Sequence, residues 1–138
     1  MSTMPITCSL LILALLVGVL PAEEVVIINP ATAQDTLPGD LAREYFLGQK
    51  GAWGDGSKVV VVLVRDDSAQ VPLLRFLGRS QQQFEIGWKK LIFTGRVTSP
   101  AVVDSDEAVV ARVASTPGAI GFVDRTKATA AVKAITIQ

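Results

Sequence analysis

From Val59 to Val64 the chain reads VVVVLV, an unbroken apolar run that stops at the charged loop Arg65-Asp66-Asp67-Ser68 and leads into VPLLRFL. β-Branched residues are stiff at χ1 and favour extended backbone. A strand without polar alternation has both faces buried, which is the situation in parallel sheets covered by helices. The stretch Lys58 to Leu77 therefore predicts strand, loop and helix in an α/β protein. A loop that opens a helix after such a strand is where open α/β folds place ligands, because free N–H groups and the helix dipole favour an anion. Arg65, Asp66, Asp67 and Ser68 occupy that place.

The rest of the chain supplies partners for this unit. Val25 to Asn29, VVIIN, predicts a second buried strand closed by Pro30. A helix is expected from about Leu37 to Leu47, capped by Thr36, with Leu41, Tyr45 and Phe46 on its apolar face and Gly48 at its end. Gln49 to Ser57 carries turn chemistry in Asp55-Gly56, and Trp53 covers the core edge. With parallel pairing, the order strand, helix, strand requires a right-handed crossover.

Beyond the loop, Pro72 means that a helix capped by Ser68 would lose an early intrahelical N–H. The helix thus starts nearer Val71 or is distorted in its first turn. Ser80 begins the next helix, with Phe84, Trp88, Leu91 and Ile92 spaced as one buried face and Gly95 as its end. Gly87 inside it marks close packing or a bend. Lys89, Lys90 and Arg96 complement the dipole at its C-terminus. Val97 to Asp104 reads as a connector. Ser105 starts a helix whose Asp106 and Glu107 suit its first turn and whose Val109, Val110 and Val113 face inward. Ala119 to Val123 is a short strand with Gly121 at a close backbone approach, and Val132 to Ile137 is a closing edge strand.

Composition narrows the chemistry. Ile6 to Leu20 is an uncharged apolar run ending at Pro21, which suits a secretory leader over residues 1–22 or, if uncleaved, an N-terminal anchor; residues 23–138 then form one domain. The only cysteine, Cys8, lies in this run, and histidine is absent from the 138 residues. Thiolate catalysis, disulfides, cysteine zinc sites and histidine general bases are thereby excluded from the mature chain. No metal site, cofactor or catalytic residue is expected. Basic and acidic residues balance at 13 each, so no nucleic-acid footprint or polybasic membrane patch is indicated.

The succession VVIINP, YFLG, W-G-DGS, VRDDS, FLG, FTG and TPGAIGFV resembles the phosphate-binding subfamily of periplasmic substrate-binding proteins, from Val25 to Asp124. The resemblance implies a periplasmic binding protein-like lobe: a small mixed, mainly parallel sheet flanked by helices, in a periplasmic or secreted protein that binds and does not catalyse. Full-length members clamp phosphate between two lobes and deliver it to an ABC importer. Arg65 matches the family's loop arginine, Asp67 its aspartate, and Ser68 its serine if one residue is deleted. Ala69, Gln70 and Val71 replace the glycine and threonine donors. The implied ligand residues are Arg65, Asp67, Ser68 and Gln70, with phosphate or a similar oxyanion as ligand. With one lobe in view, a homodimer would complete the enclosure. The alternative is an interaction module on the same scaffold, its partner another envelope protein. The membrane is a partner only if the leader stays uncleaved.

Overall fold

A computed structural model describes residues 24–135 and 137, so the expected leader lies outside the described residues. The elements in chain order are β1 (Glu24–Ile28), α1 (Gly39–Phe46), β2 (Val60–Val64), α2 (Asp67–Leu77), α3 (Gln81–Phe93), β3 (Ala101–Val103), α4 (Asp106–Ser115), β4 (Ala119–Asp124), a 3-10 turn at Arg125–Lys127, and β5 (Lys133–Ile135). The strands form one sheet in the order β3-β2-β4-β1-β5.

The valine run is buried on both faces because helices cover both. Val61 and Leu63 of β2 join Val26, Ile28 and Ile120 in a core closed by Tyr45 and Phe46 of α1, Leu73 and Leu74 of α2, and Phe84 and Trp88 of α3. Val62 and Val64 face the other way, with Val25, Ile27 and Val123, onto Val109, Val110 and Val113 of α4. The inner strands β1, β2 and β4 thus feed two cores with their alternate residues, which is why they show no polar alternation. Gly121 sits where α4 crosses β4. A Cβ there would lie 2.6 Å from Val109 Cγ1 and 3.2 Å from Val113 Cγ2, so the expected close approach is present.

The sheet is mixed. β2 runs parallel to β3 and β4, whereas β1 runs antiparallel to β4 and β5. β1 and β2 are not neighbours, so no direct parallel crossover joins them. β4 stands between them and sets both directions.

Several boundaries differ from expectation. Leu37 bridges to Ile137, which keeps residue 37 extended and delays α1 until Gly39, with Pro38 and not Thr36 at its N-cap. α2 begins at Asp67 with Asp66 as its cap and continues through Pro72. It is neither delayed to Val71 nor capped by Ser68. Val102 and its neighbours, read as connector, form edge strand β3, whose ladder with β2 recruits a sequence with little periodicity of its own. Ser80 caps α3 as expected, in a reciprocal box with Gln83. Only Phe84 and Trp88 of that helix are buried, however, and Ile92 is 36% and Phe93 93% exposed. The face is narrower than its spacing suggested because α3 leans on α2 and on the β2 side of the sheet only through its first two turns. A Cβ at Gly87 would meet nothing within 4 Å, so close packing does not explain that glycine. Trp53 is buried in the core edge, its Nε1 donating to Gly118 O at 2.9 Å.

Candidate binding site at the β2–α2 loop

β2 ends at Val64 and hands the chain to Arg65, whose backbone N–H donates to Val103 O at 2.7 Å and extends the ladder with β3 by one step. This places Arg65 beside Asp104. Their side chains pair at 3.1 Å, Nε to Oδ1, while remaining 70% and 85% exposed. A pair so open to water is screened and weak.

The next residue turns the chain into α2. Asp66 has extended backbone, and its Oδ1 accepts the Ser68 N–H at 2.9 Å and the Ser68 hydroxyl at 2.8 Å. These bonds, the hydroxyl's first, hold the Asp66 carboxyl below its ordinary range. The α2 N-terminus, the place where an anion would sit, thus already carries a carboxylate of its own. Asp67 follows in the first turn, exposed.

Gln70 lies one turn further in and is buried. Its Nε2 donates to Val64 O at 2.6 Å, and its Oε1 accepts from Gln81 Nε2 at 3.0 Å. The side chain fastens the end of β2 to α3, and both of its ends are engaged. Arg65, Asp67 and Gln70 border one cavity of about 300 Å³, opposite Phe84, Trp88, Ile92 and Val102, with Gln81, Glu85 and Lys89 along its rim. Ser68 does not line it. The four residues named from sequence are therefore on one loop and first turn, but only three meet in the cavity.

Electrostatics at the loop are mixed. One guanidinium, Arg65, stands among the carboxylates of Asp66, Asp67 and Asp104, a balance that repels an anion. Two structural roles were not assigned from the sequence: Asp66, named as part of the loop, as the cap of α2, and Asn29 as a tie to α4. Asp66 as cap was legible, since Asp two residues before Ser is a known turn and cap pattern. Asn29 was not: its Nδ2 donates to Val113 O at 2.9 Å and Ala114 O at 3.1 Å, contacts 84 and 85 residues away. Among the described residues no group of His, Cys, Asp and Glu could hold a metal ion, and no helix is long and apolar enough to cross a membrane.

No protein-family model matches this sequence, and no curated protein is similar enough to count as a match. Solved structures do match. An ABC-type phosphate transport receptor from Vibrio cholerae aligns with a TM-score of 0.65 and 18% identity over 83% of this chain and 45% of its own. A putative phosphate ABC transporter substrate-binding protein with bound phosphate, from Clostridium perfringens, gives 0.67 and 13% over 83% and 44%. PstS from Borrelia burgdorferi gives 0.56 and 14% over 83% and 47%. This chain spans less than half the length of each of these proteins. With its five-stranded mixed sheet between helices, the chain has the fold of a phosphate-binding-protein-like lobe.

Proposed function

We propose that this chain acts by binding, on the scaffold of a phosphate-type substrate-binding protein, and that its β2–α2 face now meets another protein and not a free anion. The capping of α2 by Asp66 carries this reading. The donors that such a loop would offer to phosphate, the Ser68 N–H and hydroxyl, are spent on Asp66, and the Gln70 amide is spent on Val64. The neighbouring cavity has an apolar floor and a rim of both charges, the make-up of a protein-binding patch. Ile92, Phe93 and Val102 leave apolar surface exposed on α3 and β3. Two of the solved structures described above are named for ABC-type phosphate transport, so the partner proposed here is an importer subunit or another envelope protein, with the chain in the periplasm or secreted.

A second reading, an oxyanion binder used in uptake or sensing, is favoured by Arg65 itself. Its carboxylate partner is 85% exposed and readily exchanged, and the Clostridium perfringens neighbour carries phosphate. A second copy of the chain, closing over the loop, would supply the dry surroundings that strengthen charged hydrogen bonds.

Calorimetry with phosphate, sulfate and molybdate on the wild type and Arg65→Ala separates the two. Binding that Arg65→Ala abolishes would establish the oxyanion site and overturn the protein-contact reading. A photoreactive residue beside Ile92 that cross-links one protein in cells, with the product lost in Val102→Asp and kept in Arg65→Ala, is the result expected.

A further inference from the structure

At the opposite end of β2 from Arg65 lies a second cavity, of about 310 Å³. Its walls are the loop after α1 at Gly48, Lys50 and Gly51, the chain from Lys58 to Val61, and the loop after α3 from Gly95 to Ser99. Tyr45 and Trp88 complete the lining. The charged residues lining it are Lys50, Lys58 and Arg96, and no Asp or Glu is among them. None of these three side chains makes an ion pair or hydrogen bond among the described residues. The contrast with the carboxylate-rich Arg65 loop is complete in sign.

Lys50 and Arg96 follow helix C-termini, where cations commonly offset the dipole. That need is small here. Backbone N–H groups already take the final carbonyls: Gly48 N–H reaches Tyr45 O and Gln49 N–H reaches Glu44 O, while Gly95 N–H reaches Ile92 O and Arg96 N–H reaches Leu91 O. Lys58 belongs to no helix. Even with about −0.5 charge from each of the α1 and α3 C-termini, three cations leave the cavity at about +2.

The walls are held in place before any ligand arrives. Gly48 is pressed so closely on α3 that a Cβ would lie 3.0 Å from Leu91 Cδ1 and 3.1 Å from the Trp88 ring. Trp88 is fixed by its Nε1 bond to Phe46 O at 3.0 Å, and the Gly51 loop is tied to the strand by Val59 N–H to Gly51 O at 2.9 Å. Thr98 and Ser99 add hydroxyls that no other described side chain engages. The volume lies at the small end of ligand cavities, which run from about 300 to 1,000 Å³.

We propose that this cavity is an anion site for a small phosphate-bearing molecule, held by Lys50, Lys58 and Arg96 with the Thr98 and Ser99 hydroxyls. It shares no residue with the β2–α2 loop, although Trp88 and Ser99 also border the cavity beside that loop. Charge-assisted bonds to phosphate oxygens supply affinity, and their exposure makes it fall with ionic strength.

The test is a titration of the ¹⁵N-labelled protein with inorganic phosphate and with glycerol 3-phosphate, followed by amide spectra at low salt. The expected result is saturating shifts of the Gly48, Gly51 and Gly95 amides with at least one of the two probes. The tighter probe tells free phosphate from a phosphate ester. The Lys58→Gln, Arg96→Gln double variant, at exposed positions, should weaken the response about tenfold. Arg65→Ala should leave it unchanged. Shifts confined to residues 65–69 would overturn this site and support the oxyanion reading of the loop. Shifts that never saturate, or that the double variant leaves intact, would overturn it too, as would no shift with either probe, and neither result bears on the protein contact of the β2–α2 face.

Discussion

The Asp66 carboxylate and Ser68 form a closed pair: one oxygen, Oδ1, accepts both the Ser68 backbone N–H and its hydroxyl. A carboxylate at the first turn of a helix satisfies free N–H groups and complements the dipole. It also occupies the position that makes such a turn attractive to a solvent anion. Asp66→Ala should therefore have two measurable effects. The midpoint of urea unfolding at neutral pH should fall, and the deficit should close as pH drops through the depressed Asp66 value, because stability from a lowered carboxyl is lost on protonation. Phosphate affinity, read by calorimetry, should rise, since a repelling charge leaves and Ser68 is freed.

Arg65→Ala should change stability by less than about 1 kcal/mol, because its ion pair with Asp104 is solvent-exposed on both sides. Chemical denaturation checks this. The variant is then a clean probe of binding, with no folding defect to confuse it.

Gln70→Leu should cost about 1–3 kcal/mol by the same measurement, since Val64 O and Gln81 Nε2 each lose a partner at the buried junction of β2, α2 and α3. A residue that serves as a fastener should show this loss with no change in the response to phosphate.

Gly121→Ala should destabilise the fold by about 1–3 kcal/mol, through overpacking against Val109 and Val113 of α4. Val109→Ala in the same chain should recover part of the loss, which a double-mutant cycle would show.

Burial, followed by Asp124 and Asp106, raises the Glu24 carboxyl above 4.5. The folded state then holds this proton more tightly than the unfolded chain, so the associated stability is present below 4.5 and is lost as pH rises through the raised folded value. Glu24→Gln, which removes the charge, should raise the thermal midpoint at neutral pH. The gain should vanish in acid, where wild-type Glu24 is already protonated; equal midpoints at all pH values would contradict the assignment.

Much of the architecture was legible in local pattern. VVIIN, VVVVLV and AIGFV are strands because β-branched runs have few other comfortable backbones, and Ser80 and Ser105 open helices because their hydroxyls cap the N–H groups just ahead. Gly121 marked a close approach for the same local reason, the absence of a Cβ. The candidate loop was legible as a place, the end of a buried strand at the mouth of a helix.

What that place does was decided by contacts distant in sequence or by competition for one donor. The direction of β1 depends on pairing with the distant β4 (Glu24 against Asp124), and periodicity carries no sign of direction. Edge strand β3 exists only because β2 offers its ladder. Gln70 looked like a free amide until Val64 and Gln81 took both ends, and Lys50, Lys58 and Arg96, scattered along the chain, share a cavity only after three loops meet. Sequence alone was enough to place the three inner strands and the helices, but not β3, since each residue's own backbone preference and burial pattern settle the former. The tertiary structure alone decided which polar groups remain available, because a hydrogen-bond donor spent inside the fold is no longer offered to a ligand.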